Sequence, residues 1–64
     1  MLPNLKAAIF TVFGSQADFA RVLRVHESDV SRVIRGRRAL PPEEKKRWAM
    51  VLDRPVDELF KVRP

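Results

Sequence analysis

The run Gln16-Ala17-Asp18-Phe19-Ala20-Arg21-Val22-Leu23-Arg24-Val25-His26-Glu27-Ser28-Asp29-Val30-Ser31-Arg32-Val33-Ile34-Arg35-Gly36 decides how this chain folds. Phe19, Ala20 and Leu23 recur at helical spacing and mark one face of a helix over about 16–23. Val30, Val33 and Ile34 do the same for a second helix that starts at His26 or Glu27 and runs to about Arg35. Arg24-Val25-His26 leaves room only for a tight turn between them. Glu27 and Asp29 fall in the first turn of the second helix, where the helix dipole favours negative charge. Gly36 follows as a residue free to adopt positive φ and end it.

The flanks extend the same pattern. Leu5, Ala8, Ile9, Val12 and Phe13 form an amphipathic stripe that predicts a helix over about 5–13. Pro3 suits its first turn, Gly14 ends it, and Ser15 can cap the next helix. Arg37-Arg38-Ala39-Leu40-Pro41-Pro42 reads as an extended connector, because each proline biases its predecessor away from the helical region. Glu43 to Leu52 predicts a fourth helix with Trp48, Val51 and Leu52 as its apolar stripe. Pro55 interrupts, and Val56 to about Lys61 predicts a short fifth helix with Val56, Leu59 and Phe60 inward. Trp48 stands one turn from Leu52 and reads as core, with an oligomer contact as the alternative. No strand pattern, repeat or low-complexity tract interrupts this order. The expectation is an all-α fold, a compact five-helix bundle forming a single domain over residues 1–64.

Composition narrows the function classes. A chain of 64 residues buries only about 60% of its unfolded surface, so its core is small. It has no cysteine and one histidine, which removes disulfides and a structural zinc site as staples. The 45% apolar content is that of a globular chain, not a disordered one. No apolar run approaches the roughly 18 residues of a membrane span, and Met1-Leu2-Pro3-Asn4 lacks the shape of a signal peptide. A cytoplasmic protein is the expectation. The net charge of +5 is unevenly placed. Between Arg21 and Arg38 stand six arginines against two acids, Glu27 and Asp29, so this stretch carries +4 of the total. A block of arginine points to a polyanion, since guanidinium pairs bidentately with phosphate and with guanine.

Counted from Gln16, the inward residues Ala20, Leu23, Val25, Val30 and Val33 stand fifth, eighth, tenth, fifteenth and eighteenth. This is the spacing of a helix-turn-helix. The fifth position must be small because the second helix crosses close to it, and the others must be apolar to lock the pair at a steep angle. The second helix then stands clear of the body and fits a major groove about 12 Å wide.

Gly14 to Leu23, then Val25, then Asp29 to Arg38, resembles the phage-type Cro/repressor family of helix-turn-helix transcriptional regulators. The family pattern is Gln-x-x-Leu-Ala, an apolar-Gly-apolar turn, an apolar-Ser pair in the recognition helix and a Gly-basic-basic exit. Leu52 to Phe60 resembles the family's closing helix, so the resemblance covers about residues 5–60. The chain departs from the pattern at Arg24, where glycine is usual in a left-handed turn, at Phe19 for leucine, at Asp53-Arg54 for Gly-Val, and in its two acids on the recognition helix.

The resemblance implies a small regulator, repressor-like, that binds double-stranded operator DNA as a homodimer at least when on DNA. The recognition helix is about 27–35. Glu27, Ser28 and Arg32 fall where the family reads base edges, with Ser31 and Arg35 at the margin; Arg32 suits guanine and Glu27 a cytosine amine. Ser15, Gln16, Arg24, Arg37 and Arg38 take phosphates. Each role has a plainer rival. Gln16 caps a helix, Glu27 serves only the dipole, and Arg32 pairs with Asp29 or Ser28 on its own helix. No cofactor, metal, membrane or small-molecule effector is implied, and the chain leaves no room for a separate effector domain. Localisation is cytoplasmic, on the nucleoid when bound. A catalytic centre has little to stand on, since the hydroxyls are one threonine and three serines and the one histidine sits in a turn. The different reading that remains is a protein-interaction module of the same fold, an antitoxin-like partner or an assembly subunit.

Overall fold

The helices start and stop where local chemistry places them. In the computed structural model, which describes residues 1–62, they are α1 (Pro3–Phe13), α2 (Gln16–Leu23), α3 (Glu27–Ile34), α4 (Pro42–Leu52) and α5 (Val56–Leu59). There is no strand among the described residues. Proline occupies the first turn of α1 and of α4, where its missing N–H is not needed. Both helices therefore begin slightly before the first residue of their predicted stretches. The fifth helix is shorter than its apolar pattern suggests, since Phe60 caps it and Lys61 lies outside.

Three helices share one way of ending. In each, a left-handed residue lets two successive N–H groups fold back onto the last carbonyls, which would otherwise lack partners. After α2 the left-handed residue is Arg24 (φ 59°), whose N–H donates to Arg21 O at 3.2 Å while Val25 N–H donates to Ala20 O at 3.0 Å. After α3 it is Gly36 (φ 77°), with Gly36 N–H to Val33 O at 3.0 Å and Arg37 N–H to Arg32 O at 2.9 Å. After α4 it is Asp53 (φ 55°), with bonds of 3.3 and 3.1 Å to Met50 O and Ala49 O. Asp tolerates this conformation better than Arg does, so the turn at Arg24 carries the larger cost.

The core gathers every helix. Leu5, Ala8 and Ile9 of α1, Phe19, Ala20 and Leu23 of α2, Val30, Val33 and Ile34 of α3, Trp48, Ala49 and Leu52 of α4 and Leu59 of α5 are all buried. An aromatic row runs through it. Phe13 meets Phe19 at 5.3 Å, Phe19 meets Trp48 edge-on at 5.2 Å, and Trp48 meets Phe60 at 6.4 Å. Trp48 is thus core, as its spacing predicts, and its buried indole N–H has no hydrogen-bond partner among the described residues. Val25, Val51, Val56 and Phe60 pack against the core without being fully enclosed.

Two features depart from the apolar pattern. Val12 sits on the α1 stripe by spacing yet stays 48% exposed; in so small a chain the periodicity outruns the body available to cover it. Leu2, outside any periodic stretch, is buried, and its N–H donates to Ile34 O at 2.7 Å. The chain start is thereby fastened to the end of α3. Asn4 Nδ2 donates to Glu58 O at 3.0 Å and fastens α1 to α5 in the same way.

Candidate nucleic-acid interface

The outer face of α3 follows from its inner one. At about 100° per residue, Val30, Val33 and Ile34 span one side, and Arg35, Ser28 and Arg32 lie opposite within about 60° of one another. Burial agrees: the three apolar residues are enclosed, and Ser28, Arg32 and Arg35 are exposed. Glu27 is exposed and Ser31 half-buried, both on one flank of this face. Asp29 is on the other flank, with 27% of its side chain exposed. The outward residues thus present two guanidinium groups and a hydroxyl on the exposed side of the helix, Arg35 from its C-cap. These groups suit base edges, since guanidinium is the common partner of guanine and a hydroxyl accepts or donates.

The residues expected to meet phosphate sit on the helix ends around α3. Ser15 is the N-cap of α2: its Oγ accepts from Asp18 N–H at 3.2 Å. That leaves its own O–H free to donate to an anion. The cap is Ser15 and not Gln16, which occupies the first position of the helix and is half-buried. Arg24 projects from the turn between α2 and α3, and Arg37 from the turn after α3; both are exposed. Arg24, Arg35 and Arg37 form no ion pair with any described acid.

The other arginines of this stretch are engaged. Arg21 pairs with Asp18 at 3.5 Å along α2. Asp29 receives two partners: Arg38 Nη1 at 2.8 Å and Arg32 Nη1 at 3.7 Å. The local pairing of Arg32 with Asp29 anticipated from their spacing is therefore present. Arg32 is still 64% exposed. Arg38, from the connector, instead spends its guanidinium on α3.

Compared with family models, with curated proteins and with solved structures, the chain matches none.

A residue outside the predicted set positions this surface. Arg47 of α4 donates through Nη2 to Leu23 O at 2.6 Å, satisfying a carbonyl at the very end of α2, and its Nη1 pairs with Glu44 at 3.5 Å. It ties the turn at Arg24 to α4. In the sequence Arg47 is one member of the basic run Lys45-Lys46-Arg47, and nothing in that run distinguishes it. Only the tertiary approach of α4 to the end of α2 does. Among the described residues no cluster of three His, Cys, Asp or Glu side chains could hold a metal ion, and no helix is long and apolar enough to cross a membrane.

Proposed function

We propose that this chain is a sequence-specific, double-stranded-DNA-binding transcriptional regulator of the Cro/repressor type, with α2 and α3 as its helix-turn-helix. The observation that carries this reading is the division of α3 into an enclosed apolar side and an outward side of Ser28 and Arg32, continued by Arg35 at its C-cap. Arg24, in the turn before α3, and Arg37, in the turn after it, are exposed and pair with no described acid, and Ser15 caps the start of α2. In this reading α3 enters the major groove. Arg32 reads guanine, Ser28 and Arg35 flank it, and Glu27 and Ser31 border the next base edges. Ser15, Gln16, Arg24 and Arg37 set the register on phosphates, with Arg38 nearby beside Asp29. The left-handed turn at Arg24 supports the motif, because it stands where a helix-turn-helix makes its turn.

A short recognition helix buries too little surface for operator affinity by itself, so the working form on DNA is a symmetric pair of chains. The surface for this lies over Val56 to Val62. Val62 is 67% exposed, and neighbouring Met50 on α4 is 80% exposed beside a shallow depression it shares with Pro55 and Val56. Such a protein works in the cytoplasm, on the nucleoid.

The test is a titration of mixed-sequence duplex at several salt concentrations. Binding that weakens steeply with salt, with a slope of about 0.9 per phosphate contact, supports the reading. Absence of binding even at low salt overturns it and leaves the protein-interaction module.

A further inference from the structure

Asp29 is an odd residue for a surface that meets phosphate. It adds negative charge to the exposed side of α3, and it reads no base edge, because its carboxylate is turned to the flank and occupied by Arg38 at 2.8 Å and Arg32 at 3.7 Å. A carboxylate offers an arginine much the same charge and geometry as a phosphate oxygen pair. We propose that Asp29 is a specificity-determining residue. It acts as an internal stand-in for phosphate, withholding Arg38, and in part Arg32, from the backbone of DNA whatever its sequence. This rests on the DNA-binding reading above.

Asp29 competes with phosphate for the arginines beside it. Non-specific binding is almost wholly a count of cations placed on phosphates. Of the six arginines between Arg21 and Arg38, Asp29 occupies two and Asp18 a third, leaving Arg24, Arg35 and Arg37 unpaired with any described acid. Arg38 is 51% exposed, so its hold on Asp29 is that of a surface pair, strong enough to bias its position and weak enough to be released by removing one charge. Arg32 is held loosely at its edge and retains donors for bases. The effect is to lower affinity for indifferent sequence while sparing the contacts that discriminate.

The variants are Asp29→Asn, which keeps the shape and removes the charge, and Asp53→Asn, which makes the same charge change at the end of α4. Asn tolerates the left-handed conformation of residue 53. On mixed-sequence duplex, Asp29→Asn should bind at least about threefold more tightly than Asp53→Asn, with a salt slope steeper by roughly one. Most of the excess should vanish when Arg38→Ala is added, because Arg38 is the nearer partner at 2.8 Å and Arg32, at 3.7 Å, accounts only for the remainder. On its own, Arg38→Ala should weaken mixed-duplex binding less than Arg37→Ala does, which tests the same point without touching Asp29. Equal behaviour of Asp29→Asn and Asp53→Asn, or an excess undiminished by Arg38→Ala, overturns the proposal. So does a uniform loss of binding in Asp29→Asn with an unchanged slope, the mark of a merely structural role. The same set run on immobilised heparin separates the two readings. If no form binds duplex, yet Asp29→Asn elutes at higher salt than Asp53→Asn by a margin that shrinks when Arg38 is removed, the DNA reading fails and the withholding stands. Without that difference both fail.

Discussion

Arg24→Gly isolates the turn on which the surface depends. Arg24 holds φ 59° and ψ 43°, a left-handed conformation that costs an L side chain roughly 1–2 kcal/mol. Glycine removes that cost but adds freedom to the unfolded chain, which returns roughly 0.4–1 kcal/mol. The Arg24 side chain is exposed and pairs with no described acid, so little else is lost. The net expectation is a gain of several tenths to about 1 kcal/mol. At about 4–8 °C per kcal/mol for a domain of this size, thermal unfolding followed by circular dichroism should show Tm several degrees higher. Arg24→Ala separates the two contributions: it removes the guanidinium and keeps the strain, so its Tm should stay near that of the native chain. Both variants should lose about 0.9 from the salt slope of duplex binding if Arg24 holds a phosphate. A fall in Tm for Arg24→Gly would show that the side chain, and not the backbone closure onto Ala20 and Arg21, holds this turn.

Further outcomes follow from the same contacts. Arg47→Met keeps the aliphatic stem but deletes the donor to Leu23 O, and should lower stability by about 1 kcal/mol in the same melt; an unchanged Tm would mean that α4 does not brace the end of α2. Glu27→Gln should tighten binding to mixed duplex by removing a charge near phosphates. If discrimination at one base pair is lost as well, Glu27 reads that pair, and if discrimination is unaltered it serves only the dipole. Sedimentation on a duplex carrying two half-sites one helical turn apart should show two chains bound cooperatively, and strictly one chain per duplex would contradict the paired form.

Much of the fold is legible in the sequence because each helix states its own limits. Apolar spacing sets the buried faces of α2 and α3, Ser15 and Gly36 mark where helices begin and end, and the prolines before α4 and α5 punctuate the second half. What local pattern could not supply is long-range. Leu2 lies outside any periodic stretch, and it joins the core through tertiary packing, with its backbone tied to Ile34. Arg47 is one cation in a run of three until α4 meets Leu23 O. Arg38 reads as an ordinary phosphate contact until the connector folds back on Asp29. Val12 errs the other way, since a stripe says which side faces the core but not how far the core extends. In the candidate interface, the outward positions of Ser28, Arg32 and Arg35 follow from the inward valines and isoleucine alone. The state of each arginine, paired or free, does not.

In the proposed mode of binding, α3 reads sequence while the turn after it only positions the chain. The direct measurement is competition binding of Arg32→Ala and Arg37→Ala on a duplex selected from a random pool and on a scrambled duplex, at several salt concentrations. Arg32→Ala should lose about 1–3 kcal/mol on the selected duplex and little on the scrambled one. Arg37→Ala should weaken both alike and reduce the salt slope by about one. If the two variants behave identically on both duplexes, α3 is not the reading element.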